Sequence, residues 1–168
     1  MTETKAGART RTITWEDPAL GLARAAEMSG LEFIRAMLEG KVPPPPITAT
    51  MGFIGSEAEE GRAVFVGEAG EFLYNPIGVV HGGFAMTLLD SVLGCAVYTT
   101  LARGERYTTL ETKVNFVRPV TAETGPVRCE ATVIHRGRRV ATAEGRLVAD
   151  RNGKILAHGS TTCLIEGP

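Results

Sequence analysis

Cysteine is scarce in this chain of 168 residues, which contains only three. Cys95, Cys129 and Cys163 are widely separated and form no Cys-x-x-Cys pair, which argues against both a disulfide framework and a zinc site. The histidines are equally few and lack the close spacing of metal ligands. We therefore predict reduced thiols, no bound metal and a cytoplasmic protein.

A surplus of charge of either sign is also missing. The chain has 18 basic and 19 acidic residues and a formal net charge of -1, so charge does not indicate a nucleic-acid partner or an anionic membrane surface. The N-terminal segment MTETKAGARTRTITW has no apolar core, which argues against a secretory signal. No dinucleotide-binding or P-loop glycine pattern appears, and we expect no cofactor.

One long apolar run, residues 82–102, carries a single charge, on Asp90. The run is long enough to span a bilayer, but a carboxylate near its centre costs about 2.5 to 3.5 kcal/mol on insertion scales. It also contains several hydroxyl side chains, and the segments after it read as half-buried strands. We therefore predict a buried helix of a globular domain, without membrane association.

The chain length predicts a single domain preceded by an N-terminal extension. Residues 1–46 comprise a polar, loose tail, two short helices and a proline-rich strap, and residues 47–168 form the domain. Asp17 before Pro18 is a typical helix start, and Ser29 with Glu32 forms a capping-box pattern. The four prolines at 43–46 favour an extended polyproline segment.

Alternating side chains predict six strands, two before the apolar helix and four after it. Ile47, Ala49, Met51 and Phe53 alternate in the first, and residues 63–66 form the second. The later four cover the segments YTTLETKVNFV, VRCEATVI, RVATAEGRLVA and KILAHGSTTCLI, with Leu110, Val114 and Phe116 on one face of the third strand and turns at Gly137 and Asn152-Gly153. Sequential strands around one long helix indicate an antiparallel α+β domain.

A glycine pair opens the apolar helix. The first amides of a helix have no internal partners and lie at the positive end of its dipole, and glycine lets a ligand oxygen approach them closely. Gly82 and Gly83 are therefore candidates for an oxyanion site. The alternative is that they only permit a tight turn into the helix, with His81 capping or packing there.

Asp90 lies eight residues after Gly82, or about 12 Å along a helix axis at about 1.5 Å per residue. A nucleophile must come within about 3 to 3.5 Å of the carbon whose oxygen the amide holds. If both residues serve one reaction, they come from two copies of the chain packed about a two-fold axis. The alternative is a hydrogen-bonded, buried carboxylate that fixes the helix position.

Asn75, His81-Gly82-Gly83 and Asp90, followed by TTLETKVNFVRPV, closely resemble the PaaI-type acyl-CoA thioesterases of the hotdog-fold superfamily. The resemblance covers about residues 47–165. It implies a hotdog fold, in which an antiparallel sheet wraps around one long central helix, and a dimer or dimer of dimers with active sites shared between subunits. The implied reaction is hydrolysis of an acyl-CoA thioester to the free acid and coenzyme A.

The resemblance also implies roles for individual residues. The Gly82 amide would polarise the thioester carbonyl, and Asp90 of the partner subunit would act as nucleophile or as general base on water. Asn75 matches an asparagine that positions the thioester or the water; alternatively, Asn75-Pro76 only starts a turn.

Two further positions complete the predicted site. Thr109 is the candidate for a helper hydroxyl on the strand after the helix, with Thr108 beside it, and a slip of one residue would change the face of the strand. His81 is expected to orient the loop that leads into the helix, not to act as the base.

Cationic residues around Gly137 are candidates for binding the phosphates of coenzyme A. Arg136, Arg138 and Arg139 flank this glycine, and the guanidinium fork suits phosphate. The alternative is that these arginines only keep an exposed hairpin turn soluble and protect the sheet edge.

Two other functions are possible on the same scaffold. One is a non-catalytic acyl-CoA-binding or sensor module, which would not need Asp90. The other is a hydratase or dehydratase acting on acyl thioesters, which in this superfamily pairs a histidine with an acid in a different motif. A serine hydrolase is disfavoured because no Gly-x-Ser-x-Gly pattern occurs, and a cysteine hydrolase because Cys95 lies mid-helix in apolar surroundings.

Overall fold

The structure, a computed structural model, describes residues 7–167. The helices in this range are α1 (Pro18–Ala25), α2 (Gly30–Leu38), α3 (Pro46–Met51) and α4 (Gly82–Tyr98). The strands are β1 (Phe53–Glu59), β2 (Arg62–Glu68), β3 (Arg106–Phe116), β4 (Pro126–Arg136), β5 (Val140–Ala149) and β6 (Ile155–Glu166). Short 3-10 helices cover Glu71–Leu73 and Ala122–Thr124.

The six strands form one antiparallel sheet in the order β1-β2-β4-β5-β6-β3, and α4 packs against one of its faces. The predicted hotdog arrangement is therefore confirmed. The long strand β3 lies at one edge of the sheet, where it pairs only with β6. At the other edge β1 contacts α2, and a Cβ added to Gly55 would lie 2.8 Å from Leu38 Cδ2.

Helix α4 is held by apolar packing on nearly all sides. Leu88, Leu89, Val92 and Leu93 are fully buried, and burial of such a side chain contributes about 1.5 to 3 kcal/mol. The facing positions of β5 are small, and a Cβ on Gly145 would come within 3.3 Å of Leu93 Cδ2. Small residues on the sheet thus allow the helix to approach closely.

The two N-terminal helices begin where the sequence predicts. The Asp17 carboxylate accepts a hydrogen bond from the Ala19 N–H at 2.9 Å. Ser29 and Glu32 form the reciprocal capping box. Helix α2 then sits against the end of α4, with the Gly30 N–H donating to the Leu101 carbonyl at 3.0 Å. The predicted division of the chain at residue 46 stays a prediction.

The first predicted strand is wrong at residues 47–51, which form α3. Pro46 occupies the first turn of this helix, where no amide donor is needed. The hydroxyls of Thr48 and Thr50 donate to the carbonyls of Pro45 and Pro46, which stabilises the turn locally. Gly52 ends the helix at φ 79°, and β1 begins at Phe53. The prolines at 43–45 precede α3 and remain outside it.

A bulge in β3 overturns the predicted common face of Leu110, Val114 and Phe116. Thr109 lies opposite Cys163 and Glu111 opposite Thr162, so Leu110 is left without a partner on β6. The extra residue reverses the alternation of side chains after this point. Leu110 is 59% exposed, whereas Val114 packs against the core.

The described part of the N-terminal tail is tethered to the body and not loose. Arg11 donates to the carbonyls of Ala49 and Thr50, both at 2.7 Å, and its guanidinium lies 4.0 Å from the centroid of the Phe72 ring. Residues 1–6 and Pro168, which also fall within the predicted segments, lie outside the described residues. Within residues 7–167, no helix has the length and apolarity needed to cross a membrane.

Candidate active site

Asn75 organises the loop that leads into α4. Its side-chain oxygen accepts hydrogen bonds from the N–H groups of Ile77 at 3.1 Å and Val79 at 3.2 Å, and its own N–H donates to the Val79 carbonyl at 2.8 Å. Asn75-Pro76 therefore starts a turn, which agrees with the alternative given for this pair. The oxygen is occupied by these two bonds, whereas the Nδ2 amide group has no hydrogen-bond partner within residues 7–167.

His81 is the N-cap of α4. Its Nδ1 accepts a hydrogen bond from the Gly83 N–H at 2.9 Å. This contact agrees with the alternative in which His81 caps the helix. The Gly83 amide is consequently occupied. The Gly82 N–H, by contrast, has no hydrogen-bond partner among the described residues and is the open donor at the helix start.

A cleft of about 470 Å³ lies in front of this donor. Its lining includes Asn75, His81, Gly82, Phe116, Arg118 and Leu156. A Cβ placed on Gly82 would lie only 2.9 Å from Cζ of the Phe116 ring. The missing side chain of Gly82 leaves room for the ring beside the helix start, and three predicted site residues, Asn75, His81 and Gly82, share one cleft.

Asp90 lies on an exposed face of α4 and outside this cleft. Its Oδ1 accepts a hydrogen bond from the Thr112 hydroxyl at 2.9 Å. In the single chain Asp90 is therefore hydrogen-bonded but exposed. Because α4 is a continuous helix from Gly82 to Tyr98, Asp90 stays about 12 Å from Gly82 along the axis. A single chain does not bring these two groups together.

Thr112 is the hydroxyl that sequence reasoning missed. Thr109, the predicted helper, lies opposite Cys163, on the other side of the bulge. Thr112 contacts Asp90, and Thr161 Oγ1 lies 3.2 Å from Thr112 Oγ1. No local pattern distinguishes Thr112 from the other threonines of β3, because the bulge that turns it toward Asp90 leaves no signal in the sequence.

The arginines around Gly137 separate into two kinds. Arg136 Nη2 donates to both carboxylate oxygens of Glu105, at 2.8 and 2.9 Å, and Nη1 donates to the Gly137 carbonyl. The Ala102 N–H and, after it, the Arg136 guanidinium lower the pKa of the Glu105 carboxyl. Arg136 is thus engaged within the chain. Arg138 and Arg139 are exposed and form no side-chain hydrogen bond or ion pair within residues 7–167.

The thiols are unsuited to nucleophilic chemistry. Burial, with a further contribution from the Asp90 charge, raises the pKa of the Cys95 thiol to about 12. Burial also raises the pKa values of Cys129 and Cys163. All three therefore stay protonated near neutral pH, and thiolate is the reactive form. In the part of the chain that the structure describes, no group of histidine, cysteine and carboxylate side chains is arranged to hold a metal ion.

Comparison with known proteins places this chain among thioesterases. The model of the thioesterase superfamily matches residues 77–156. A similar crystal structure is that of a thioesterase, phenylacetic acid degradation-related protein, from Ralstonia eutropha JMP134. It is 32% identical at a TM-score of 0.70, and the match covers 78% of this chain and 98% of that one. Curated proteins give no match.

Two further solved structures are similar over nearly their whole length. A thioesterase family protein from Silicibacter pomeroyi is 26% identical at a TM-score of 0.70, with 80% of this chain and 99% of that one covered. A mutant of the phenylacetic acid degradation protein PaaI from Thermus thermophilus is 29% identical at a TM-score of 0.64, with 71% and 98% covered.

Proposed function

Because the chain belongs to the thioesterase superfamily, as a PaaI-type thioester hydrolase with the hotdog fold, we propose that it hydrolyses acyl-CoA thioesters at active sites shared by two copies of the chain. The observation that carries this proposal is the open Gly82 amide, which lies in the cleft without a hydrogen-bond partner among residues 7–167.

The Gly82 N–H polarises the thioester carbonyl and binds the oxyanion that develops during attack. The positive end of the α4 dipole adds to this effect. The His81 side chain takes up the neighbouring Gly83 amide, so the site has one helix-terminal donor. A donor of this kind contributes about 2.7 to 4 kcal/mol to transition-state stabilisation. The free Nδ2 of Asn75 holds the thioester or the attacking water in the same cleft.

Asp90 of the partner subunit supplies the second function of the site. As a nucleophile it would attack the carbonyl carbon, expel the thiolate of coenzyme A and form an anhydride that water then cleaves. As a general base it would take a proton from water, which attacks the carbon directly. Both routes convert thioester and water to acid and thiol. Thr112 holds the Asp90 carboxylate in place through its hydrogen bond.

The exposed edge of β3 provides a surface for pairing two chains. Strand β3 has eleven residues, and one side of it has no strand partner within the described chain. Met86 and Leu110 are 46% and 59% exposed, on the helix and strand that also carry Asp90 and Thr112. An antiparallel pairing of two β3 strands about a two-fold axis would bring each Gly82 toward the other chain's Asp90. A dimer of dimers is a further step of the same assembly.

Coenzyme A would be bound partly by charge. Of the predicted residues around Gly137, Arg138 and Arg139 have their guanidinium groups available for phosphate, and we assign them this role. Arg136 supports the turn through its pair with Glu105. The expected compartment for such a reaction remains the cytoplasm.

The central experiment is a free-thiol assay over a panel of acyl-CoA substrates with the wild-type protein and with Asp90→Asn. We expect the variant to lose at least about 100-fold in kcat while it keeps its circular dichroism spectrum and oligomeric state. Unchanged turnover would remove Asp90 from the mechanism. Binding of acyl-CoA by the wild type with no hydrolysis of any substrate would instead indicate a binding module.

Complementation tests whether the site is shared. Asp90→Asn and Gly82→Pro are each inactive in this scheme, but a mixed dimer of the two contains one intact site. If subunits exchange at random, half of the dimers are mixed and each has one of two sites, so an equimolar mixture should recover about a quarter of wild-type activity. Equal amounts of either variant alone serve as controls. No recovery after confirmed subunit exchange would contradict a shared site.

A further inference from the structure

A second cavity, of about 430 Å³, lies between the N-terminal helices and the C-terminal half of α4. We call it the strap cavity because residues 43–45 of the proline-rich strap form one wall. Its other walls come from α1, α2, α4 and β3 and include Leu22, Ala25, Phe33, Met37, Cys95, Tyr98 and Tyr107. This volume is within the range of about 300 to 1,000 Å³ that is typical of small-molecule sites.

Aromatic rings line the inner wall of the strap cavity. Phe33 contacts Tyr98, and Tyr98 contacts Tyr107, each pair with ring centroids 5.8 Å apart. The hydroxyls of both tyrosines form no hydrogen bond within residues 7–167. The wall is therefore a largely apolar surface, which suits an apolar group that carries no charge.

The strap cavity lies beyond the proposed catalytic carboxylate along α4, and its wall on this helix begins at Cys95. A Cβ added to Gly94 would lie 2.6 Å from the Tyr107 hydroxyl, and Gly94 follows Asp90 by four residues, or about 6 Å along the helix. Burial raises the pKa of Tyr107 well above its usual value, and the Asp90 charge contributes to the same shift. Asp90 thus lies between the thioester site and this cavity along α4.

We propose that the strap cavity binds the acyl chain of the thioester substrate and that it selects uncharged, straight-chain acyl groups of medium length. The proposal rests on the proposed function, because it assumes that the reacting carbonyl is bound beside Asp90. The sulfur side of the substrate then extends toward the Gly82 cleft of the partner subunit, and the acyl chain extends along the same subunit as Asp90 toward Tyr98.

Distance and charge define this substrate class. Tyr98 lies eight residues beyond Asp90, or about 12 Å along the axis. An extended acyl chain has carbon–carbon bonds of about 1.5 Å and lengthens by somewhat less than that for each carbon. About eight to twelve carbons are therefore needed to span this distance and fill the cavity. Glu16 and Asp17 also border the cavity, and their carboxylates disfavour acyl groups with a terminal negative charge.

A matched pair of substitutions on α1 tests the proposal. Ala25 lines the strap cavity, whereas Ala23 on the same helix is exposed and does not. We expect Ala25→Phe to lower kcat/KM for decanoyl-CoA at least tenfold and to change kcat/KM for butyryl-CoA less than twofold. Ala23→Phe should leave both values within twofold of wild type. The readout is thiol release in the full-length protein, with circular dichroism to confirm folding.

A second variant keeps the test decisive if Ala25→Phe does not fold. Met37→Ala enlarges the same cavity and should shift the preferred acyl length toward longer chains. An unchanged chain-length profile in the folded variants would overturn the proposal, as would a wild-type preference for aromatic or dicarboxylic acyl groups over decanoyl-CoA. In those cases the hydrolytic function would stand. Failure of the wild type to hydrolyse any acyl-CoA would instead overturn the proposed function itself.

Discussion

At the scale of single residues, Gly82 combines two properties that are usually separable. Its missing side chain makes room for the Phe116 ring, and its N–H is the open donor of the cleft. Substitution by alanine disturbs only the first property, because the amide remains. Substitution by proline disturbs both, although proline suits the first position of a helix.

We therefore expect Gly82→Pro to be about 100- to 1,000-fold less active than Gly82→Ala, which corresponds to the loss of one oxyanion donor of about 2.7 to 4 kcal/mol. His81, the preceding residue, already has the extended backbone that proline requires. The measurement is kcat/KM for both variants on the best acyl-CoA. Similar kcat/KM values for the two variants would show that activity depends on glycine at position 82 through the contact with the Phe116 ring and not through the amide.

Thr112 is the positioning residue that we expect to matter most after Asp90. Thr112→Val keeps the shape of the side chain but removes the hydroxyl that donates to the carboxylate. A hydrogen bond to a charged group contributes about 1.5 to 3 kcal/mol, so kcat should fall about 10- to 100-fold with KM within about threefold. Thr112→Ser retains the donor and should restore most of the rate. A loss that serine does not restore would indicate a packing role only.

At the scale of helices and strands, the contact between α2 and α4 depends on one glycine. A Cβ on Gly30 would lie 1.7 Å from the Tyr98 carbonyl oxygen, so Gly30→Ala forces the two helices apart. Such overpacking costs about 1 to 3 kcal/mol in the free energy of unfolding. Urea denaturation followed by circular dichroism measures the change.

Gly21 in α1 is the matched control for that substitution. It is also a helical glycine, but no atom lies within 4 Å of the position that a Cβ would occupy. Gly21→Ala should therefore leave stability unchanged or raise it by up to about 1 kcal/mol, as alanine favours the helix. Equal destabilisation by the two substitutions would contradict the contact between α2 and α4 as the cause.

Elements with local signals were predictable from the sequence. The capping side chains of Asp17 and Ser29 lie two or three residues from their partners. A short segment of sequence is therefore enough to predict the start of each helix. The helix α3 was missed because alternating apolar residues at 47–53 also fit a strand. Hydrogen bonds from Thr48 and Thr50 to proline carbonyls decide in favour of the helix.

The residues of the candidate site likewise divide into those with a local signal in the sequence and those without one. Asp90 and Gly82 stand out locally, one as a lone charge in an apolar helix and the other at its start. Thr112 does not, because its position facing Asp90 depends on a bulge in a ladder with β6, about fifty residues away. The ion pair between Arg136 and Glu105 likewise joins residues that are 31 positions apart, and no local pattern in the sequence predicts it.

At the scale of the whole molecule, the Glu105–Arg136 pair links the start of β3 to the hairpin between β4 and β5. Both side chains are largely buried, with exposed fractions of 22% and 24%. The folded-state pKa of Glu105 is lowered from 4.5, so its stabilisation is complete above pH 4.5 and is lost as pH falls through the folded-state value.

Glu105→Gln should therefore lower the free energy of unfolding by about 1 to 2 kcal/mol at pH 7. The difference from wild type should narrow as the pH falls below 4.5, because the wild-type carboxyl then becomes protonated. Denaturant midpoints between pH 3 and 7 measure this trend. Glu144→Gln on β5, exposed and without an ion pair in the described chain, is the control. A difference that stays constant with pH would contradict a charge-based contribution.

The two edges of the sheet are unequal, and this limits how copies of the chain can associate. Strand β1 is only seven residues long, contains an irregularity between Gly55 and Glu57, and is flanked by α2. Strand β3 is eleven residues long and open along one side. A chain with one free strand edge can form a dimer through that edge, but it offers no second edge to which further chains could add. The unequal edges therefore protect the protein against fibrous growth.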